Sequence, residues 1–356
     1  MTEVRKQQCG ARLSRTGEDN PIPAYNEAPG LFWRHTRYTE EAIDALCAEL
    51  NNEWMFAIVT LHGEGRVSFS VSQKTWARNE GHYPLVMHLC NAVAKHPRLA
   101  GLRGRFVVWL EDGMWEWCQG YSRRVPILSF GRNIGDSTTF LIPDPAFIGA
   151  LGYREERRES EVLASHVPWA QRRPTIFWRG AATGIGIEGP EWRGAARAKL
   201  VLAAKEVGDS SVVDAKFTRI KHLPPHQISN LVREGVLHDE VPFEHFFNFK
   251  YVVDADGYHC AWKSLFLKLM MGSVVLKIDS PFEQWYHRSL TPWRHYVPLS
   301  RDVKELREVH EWLIAHDEEA RSIAQEGVHF ISRITLESAL DGVVMTIENI
   351  LAARDG

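Results

Sequence analysis

Apolar and polar positions switch repeatedly between a strand period and a helix period along this 356-residue chain, which predicts an α/β fold. Residues 56–61 and 66–71 alternate on either side of Gly63-Glu64-Gly65, a pattern typical of a β-hairpin. Short apolar runs at 106–110 and 125–130 predict buried strands. Helical periodicity is predicted over residues 39–54, 83–95, 192–205, 303–316, 317–331 and 335–353.

The most informative pattern spans residues 251–278. An apolar strand pattern at 251–253 ends in Asp254, Asp256 and Gly257, and a helical segment follows and stops at Gly272. A second buried strand is predicted at 274–278. The carboxyl end of such a strand is where α/β sheets bind ligands, and the helix start that follows offers free N–H groups to a diphosphate.

Bulk composition limits the function classes. Hydrophobic residues make up 44% of the chain, enough for one large core or two ordinary ones, and the length favours two. A formal net charge of −3 disfavours a nucleic-acid partner. The five cysteines show neither metal-ligand nor disulfide-framework spacing, which favours a reducing compartment.

The termini and linkers suggest how the chain is divided. Residues 1–30 are polar and predict a flexible arm without a secretory signal. No apolar run reaches the length of a membrane span. We therefore expect a cytoplasmic protein with at most peripheral membrane contact. The proline-containing segment 168–174 predicts a boundary between an α/β domain at 1–170 and another at 171–356.

Several motifs in the second half resemble glycosyltransferase family 90, the CAP10-like group. Asp256-Gly257, Trp262-Lys263, Gly272-Ser273-Val274-Val275-Leu276-Lys277 and Trp285-Tyr286 carry the resemblance, together with Leu290, Pro292-Trp293 and His295-Tyr296-Val297-Pro298. That family includes protein O-glucosyltransferases, capsule xylosyltransferases and bacterial lipopolysaccharide glycosyltransferases. The order and spacing of glycine, tryptophan, histidine and tyrosine make the signal specific.

The resemblance implies a GT-B architecture, in which two Rossmann-like domains face each other across a cleft. Residues 1–170 would bind the acceptor, residues 171–356 would bind the nucleotide sugar, and the terminal helix would pack back on the first domain. It further implies an inverting transfer of a hexose or pentose from a UDP-sugar to a hydroxyl of a saccharide acceptor. Lipid-linked saccharides are among the acceptors implied. No metal and no cofactor beyond the UDP-sugar co-substrate are expected.

Donor-site candidates follow from the same resemblance and from the charge of a leaving diphosphate, which arginine or lysine must neutralise in a metal-free site. Arg197 matches an arginine that contacts the donor diphosphate in the family. For Arg179, a structural role is the alternative to donor binding. Lys263 stands where the family usually has arginine, so it keeps the charge but loses the bidentate fork. The full set is Arg179, Gly180, Arg197, Gly257, Tyr258, His259, Cys260, Ala261, Trp262 and Lys263.

Asp112 is the candidate general base, because it ends a buried strand where the family carries its base aspartate. Its neighbour Glu111 is expected to raise the pKa of Asp112 by charge repulsion. An ordinary Asp-Gly turn is the alternative. Asp136, Asp144 and Gln284 are secondary candidates for contacts to the acceptor or the sugar.

Three alternatives stay open. Asp254-Ala255-Asp256 has the Asp-x-Asp form that holds a divalent metal in other glycosyltransferases, although a turn role is favoured. Residues 184–189 spell G-x-G-x-x-G, which alone suggests an NAD(P) site, but Pro190 follows where a helix is needed. A catalytically silent carbohydrate-binding or scaffold protein of the same fold is the remaining hypothesis.

Overall fold

A computed structural model describes residues 25–78, 82–220 and 223–355. The strands are β1 Phe56–His62, β2 Val67–Val71, β3 Arg103–Trp109, β4 Ile127–Ser129, β5 Arg132–Asn133, β6 Phe140–Leu141, β7 Arg173–Ala182, β8 Val213–Ile220, β9 Phe249–Asp254, β10 Val274–Ile278, β11 Phe282–Glu283 and β12 Val297–Leu299. The α-helices are α1 Glu27–His35, α2 Glu40–Leu50, α3 Gln73–Arg78, α4 His82–Lys95, α5 Gln119–Ser122, α6 Pro145–Gly149, α7 Arg154–His166, α8 Ala196–Val207, α9 Pro225–Glu234, α10 Lys263–Met270, α11 Leu306–Ala315, α12 Asp317–Ser332 and α13 Leu336–Ala352. Strands and helices alternate, and the α/β prediction is confirmed.

The first half of the chain forms a mixed sheet in the order β2-β1-β3-β4-β6. Strand β1 is antiparallel to β2 and β3, whereas β3, β4 and β6 run parallel. The predicted hairpin is confirmed, with Leu61 opposite Val67. Gly63 and Gly65 take positive φ angles in its turn, which explains glycine at both positions.

The second half forms an all-parallel, Rossmann-like sheet in the order β12-β10-β9-β7-β8. The chain adds β8 on one side of β7 and then β9, β10 and β12 on the other side. The strand order therefore reverses between β7 and β9, and their carboxyl ends flank the crevice where such sheets bind ligands.

Two kinds of contact join the halves. Strand β5 pairs antiparallel with β11, and there the fully buried Arg132 donates from Nε to Glu283 at 2.8 Å. The last helix, α13, returns to the first half, where Val343 and Ile347 lie in the same apolar core as β1 and β3. Thr335 begins that helix with a reciprocal cap to Ser338.

Some predicted boundaries differ from the structure. Thr39 caps α2 as expected, since its side chain accepts from the N–H of Ala42, but the helix ends at Leu50 rather than at residue 54. The strand expected at 212–213 extends over Val213–Ile220, because alternate residues along it are buried.

The predicted flexible arm is partly wrong. Residues 1–24 lie outside the described residues, but Tyr25 is buried, with its ring against Trp285. The Asn26 side chain exchanges hydrogen bonds with the backbone of Leu141, which fixes the start of α1. Across the described ranges, no helix combines the length and the apolar character that crossing a membrane requires.

Candidate functional site

Arg197 joins the two strand ends at the crevice of the parallel sheet. Its Nε donates to the carbonyl of Ala255 at 3.1 Å, and its Nη1 donates to the carbonyl of Ala181 at 3.1 Å and to Oγ1 of Thr183 at 2.6 Å. Burial lowers the pKa of Arg197. The residue lies at the strand ends, and backbone and hydroxyl acceptors already use its Nε and Nη1 groups.

Gly257 allows the loop after β9 to approach this arginine. A Cβ at Gly257 would lie 3.0 Å from Thr183 Oγ1 and 3.3 Å from Arg197 Cζ. The Gly257 N–H donates to the carbonyl of His259 at 3.1 Å, which curls the loop towards the next helix. We call residues 257–262 the donor loop.

Lys263 is the first residue of α10, and its side chain is exposed. Trp262 before it has a φ of 45°, an unusual conformation for an aromatic residue, and no side chain caps the helix. Within the described ranges, Lys263 has no hydrogen-bonded or ion-paired partner. The helix start and the exposed lysine thus place positive charge directly after the donor loop.

The Asp-x-Asp carboxylates are buried beneath the donor loop. Asp254 accepts from Lys268 Nζ at 3.0 Å and from Ser264 Oγ at 3.1 Å. Burial alone would raise the pKa of Asp254, but the charges of Lys268 and Lys277 outweigh it and the pKa is lowered. Burial raises the pKa of Asp256, whose Oδ1 accepts the Ala261 N–H at 2.7 Å.

These contacts favour the structural role over the metal hypothesis, because each carboxylate already serves a protein donor. In the three described ranges, no group of three His, Cys, Asp or Glu side chains is arranged to hold a metal ion.

His259 inserts from the donor loop into the first half of the molecule. Its ring stacks on Phe282 with a centroid distance of 4.1 Å and contacts the edge of Trp115 at 5.3 Å. A Cβ at Gly113 or at Gly131 would lie 2.4 Å or 2.6 Å from this ring. Both glycines are therefore needed for the imidazole to fit.

The imidazole of His259 is almost fully buried, and neither ring nitrogen has a hydrogen-bond partner among the described residues. Burial lowers the pKa of His259 to about 3. The next residue, Cys260, is also buried, and burial raises the pKa of its thiol well above the ordinary value. Both side chains anchor the donor loop rather than line an open surface.

Asp112 lies exposed on the turn after β3, and the next residue, Gly113, lies against the His259 ring. The turn is held from below, because Trp109 Nε1 donates to the carbonyl of Gly113 at 3.0 Å. Glu111 points elsewhere: its Oε1 accepts from Lys74 Nζ at 2.8 Å and from the N–H of Met55 at 3.0 Å. Glu111 thus pairs with Lys74, and its effect on the pKa of Asp112 stays a prediction.

Tyr258 of the donor loop interacts with the glycine-rich segment 184–189 and with Asp112. Its hydroxyl donates to the carboxylate of Glu188, which lies in the glycine-rich segment 184–189. Burial, the hydrogen bond to Glu188 and the charges of Glu188 and Asp112 raise the pKa of Tyr258 to about 12. Asp112 is therefore within electrostatic range of the donor loop.

Sequence reasoning missed Glu188. The signal available was a single carboxylate in an otherwise uncharged glycine-rich segment. The segment itself does not continue into a helix, since α8 begins only at Ala196. This geometry disfavours the NAD(P) hypothesis, which needs the helix directly after the last glycine.

Arg179 and Gly180 lie along β7 rather than at its end. Arg179 Nη2 donates to Asp214 Oδ2 at 2.8 Å, and the guanidinium lies 4.6 Å from the centre of the Phe177 ring. A Cβ at Gly180 would lie 2.5 Å from the ring of Trp178. These contacts support the structural alternative for Arg179.

The secondary candidates have mostly local partners. Asp136 Oδ1 accepts the N–H groups of Thr138 and Thr139, so it shapes a turn. Asp144 caps α6, accepts from the Tyr153 hydroxyl at 3.1 Å, and has its pKa raised by burial.

Gln284 alone among the secondary candidates touches the donor loop. Its Nε2 donates to the carbonyl of Trp262 at 3.2 Å, and its Oε1 is buried without a partner among the described residues.

Comparisons with known proteins agree with the motifs. Human Protein O-glucosyltransferase 3 is 44% identical over 86 residues, which cover 24% of this chain and 17% of that protein. Human Protein O-glucosyltransferase 1 is 26% identical over 212 residues, covering 58% of this chain and 48% of that protein. The matches therefore span about half or less of those relatives' length.

A solved structure of the Anabaena protein HepE in complex with UDP has a TM-score of 0.40 and 10% identity, and the match covers 74% of this chain and 76% of that one. Residues 108–342, well over half of the chain, match the family described as Glycosyl transferase family 90. The chain therefore belongs to glycosyl transferase family 90.

Proposed function

We propose that this protein is an inverting glycosyltransferase that moves a hexose or pentose from a UDP-sugar to a hydroxyl of a saccharide acceptor. One observation carries the proposal: the exposed Lys263 and the uncapped start of α10 follow the donor loop at the reversal of strand order, and the charge of the exposed Asp112 acts on Tyr258 of that loop. The second half would bind the donor and the first half the acceptor.

The chemistry assigned to these residues balances without a metal. The acceptor hydroxyl oxygen attacks the anomeric carbon, and Asp112 takes its proton. The bond between that carbon and the diphosphate breaks with its electron pair on UDP. Lys263 and the first N–H groups of α10 stabilise the charge that develops on the diphosphate.

Arg197 has an indirect role in this proposal. Its three hydrogen bonds hold the ends of β7 and β9 and leave Gly257 close to its guanidinium. It therefore shapes the donor loop, whereas Lys263 supplies the exposed charge. Removing Arg197 is expected to lower both stability and donor binding, but removing Lys263 only donor binding.

The test is a calorimetric titration with UDP, UDP-glucose, UDP-galactose and UDP-xylose, each with EDTA and with Mn²⁺. We expect binding that does not depend on metal and that Lys263→Ala weakens about tenfold or more, the loss typical of a charge-assisted contact. Lys304→Ala, an exposed lysine on the same half, is the matched control and should bind normally.

Two outcomes contradict the proposal. Binding that requires Mn²⁺ returns Asp254 and Asp256 to the metal hypothesis. Absence of nucleotide binding together with retained glycan binding supports the silent binding protein, which the engagement of Arg197 by carbonyl groups also favours. The identity of the sugar and a cytoplasmic location stay predictions.

A further inference from the structure

We infer that Arg132 is a positioning residue, which sets where the proposed base Asp112 lies relative to the donor loop. The inference rests on the proposed function, because it concerns the geometry of the same site. Arg132 is fully buried where strand β5 pairs with β11, and its partner Glu283 is buried as well. We call this pairing of residues 132–133 with residues 282–283 the seam.

The guanidinium of Arg132 has acceptors from three separate parts of the chain. Its Nε donates to Glu283 Oε1 at 2.8 Å, its Nη1 to the carbonyl of Thr139 at 2.6 Å, and its Nη2 to the carbonyl of Tyr25 at 2.8 Å. Arg288 holds Glu283 from the other side through Nε and Nη2, each at 2.7 Å. Because the guanidinium is planar and its donors point in fixed directions, these acceptors define one position for the seam.

One side of the seam holds the segment that carries Asp112. The N–H of Met114, two residues after Asp112, donates to the carbonyl of Gly131 at 2.8 Å. Met114 also forms an isolated β-bridge with Arg132. The candidate base is therefore two residues away from a backbone pairing with the start of β5, and a displacement of β5 would displace its carboxylate.

The other side of the seam holds the donor loop. The Phe282 ring stacks on His259 with a centroid distance of 4.1 Å and lies 5.6 Å from the ring of Trp115. Gln284, which directly follows β11, donates to the carbonyl of Trp262 at 3.2 Å. Strand β11 and the residue after it thus contact the donor loop and the segment of the candidate base together.

The energetics of a buried ion pair favour a geometric role for Arg132 over a purely stabilising one. An apolar pair of similar volume is often as stable as a buried ion pair, or more stable. What the ion pair supplies instead is a fixed arrangement of the two strands. A displacement of about 1 Å in a reacting group can lower a rate about 10²-fold. Because Arg132 is fully buried, it acts on the reaction through the segments that it holds.

The experiment compares wild-type protein with Arg132→Lys and Arg132→Met by three measurements. These are calorimetric titration with UDP, the kcat of UDP release from UDP-glucose, UDP-galactose and UDP-xylose, and hydrogen exchange at the amides of Met114 and Ile134. The Ile134 amide reports on the seam, since it donates to the carbonyl of Pro281 at 2.7 Å. We expect kcat to fall about tenfold in Arg132→Lys and about 10²-fold in Arg132→Met, while the UDP dissociation constant changes less than about twofold. Both amides should exchange faster in both variants.

Lys250→Met is the matched control, because it removes an ion pair of a largely buried lysine that lies within the second half. Lys250 Nζ pairs with Asp317 at 2.7 Å. This variant should keep the wild-type kcat. Thermal unfolding verifies that each variant is folded at the assay temperature, and the conservative Arg132→Lys carries the comparison if Arg132→Met does not fold.

The inference is overturned if folded Arg132→Lys keeps the wild-type kcat or the wild-type exchange rates, if UDP affinity falls as much as kcat, or if Lys250→Met lowers kcat equally. Failure of the proposed function is a separate result, because it appears as absence of UDP binding and UDP release in the wild type. The exchange of the Met114 and Ile134 amides then still decides whether Arg132 holds the seam.

Discussion

Two strands of this protein end in an aspartate followed by glycine, and the two ends have opposite surroundings. After β3, Asp112 is exposed and Gly113 touches His259. After β9, Asp254 and Asp256 are buried and Gly257 touches Arg197. The same local pattern thus gives a surface carboxylate in one half and an internal ion pair in the other, so burial separates the candidate base from the structural acids.

The sharpest way to test this contrast is Asp112→Asn. Because the carboxylate is exposed and proposed to accept the acceptor proton, the variant should fold normally and bind UDP normally. Its rate of UDP release from UDP-sugar should fall about 10²- to 10⁴-fold, the range typical of a general base. Initial rates measured by coupled UDP detection give the comparison.

Glu116→Gln is the control for that prediction, since Glu116 is an exposed carboxylate a few residues further along the same segment. Its rate should equal that of the wild type. A normal rate in Asp112→Asn would assign the base to another residue and would leave Asp112 as an ordinary turn residue.

Asp254→Ala tests the buried end. The substitution leaves Lys268 charged in the interior without its carboxylate, and we expect a loss of about 3–5 kcal/mol in the free energy of unfolding. Urea denaturation measures it. The double variant Asp254→Leu with Lys268→Met should recover much of the loss, because an apolar pair replaces both charges.

For Asp254, an exposed ion pair provides the comparison. Asp279 pairs with Arg301 at the surface, and Asp279→Ala should leave the unfolding midpoint nearly unchanged. If Asp254→Ala were as harmless, the buried pair would not stabilise this strand end, and the contrast between the two ends would fail.

Sequence reasoning found the local part of each strand end. The apolar run, the acids, Gly257 and the helix after it are neighbours in the chain, and their spacing predicts the strand-loop-helix unit that the structure contains. The position of Arg197 near the donor loop followed from the family pattern. The hydrogen-bond partners of Arg197 did not follow from it, because two of the three are backbone carbonyl groups, which every sequence has.

The contacts between residues that are far apart in the chain could not be predicted from the sequence. Nothing in the sequence pairs His259 with Gly113 and Gly131, since a glycine signals a turn as readily as a close approach. Likewise, Glu111 and Asp112 are adjacent in the chain, but Glu111 pairs with Lys74 on α3. Tertiary packing determines these contacts, and the apolar periodicity of the sequence does not predict it.

Gly113→Ala tests the contact between the two strand ends. The added methyl group would meet the His259 ring, and Gly113 also has a φ of 155°, so we expect a loss of about 3 kcal/mol. Gly120→Ala is the control, because a Cβ there meets nothing within 4 Å. Combining Gly113→Ala with His259→Ala should cost less than the sum of the single variants, as urea denaturation would show.

The smallest effect per measured step is expected in the pH dependence of stability, one pH unit at a time. The pKa of His259 is about 3 in the folded protein and near 6.5 when the chain unfolds, so between these values only the unfolded state binds the proton. Stability is therefore complete above pH 6.5 and falls as the pH is lowered towards 3, by about 1.4 kcal/mol per pH unit from this group. His259→Phe should remove that part of the slope.

The exposed His35 supplies the control, and His35→Leu should leave the slope unchanged. Burial lowers the pKa of His295, which contributes equally to the wild type and to His259→Phe. The pKa of His287 is lowered by burial and, to a smaller extent, by the charges of Lys277 and His259. The difference between the two slopes thus reports His259 together with its coupling to His287. Equal slopes would mean that the His259 imidazole takes up a proton in the folded protein. Its burial between Gly113 and Gly131 would then not lower its pKa.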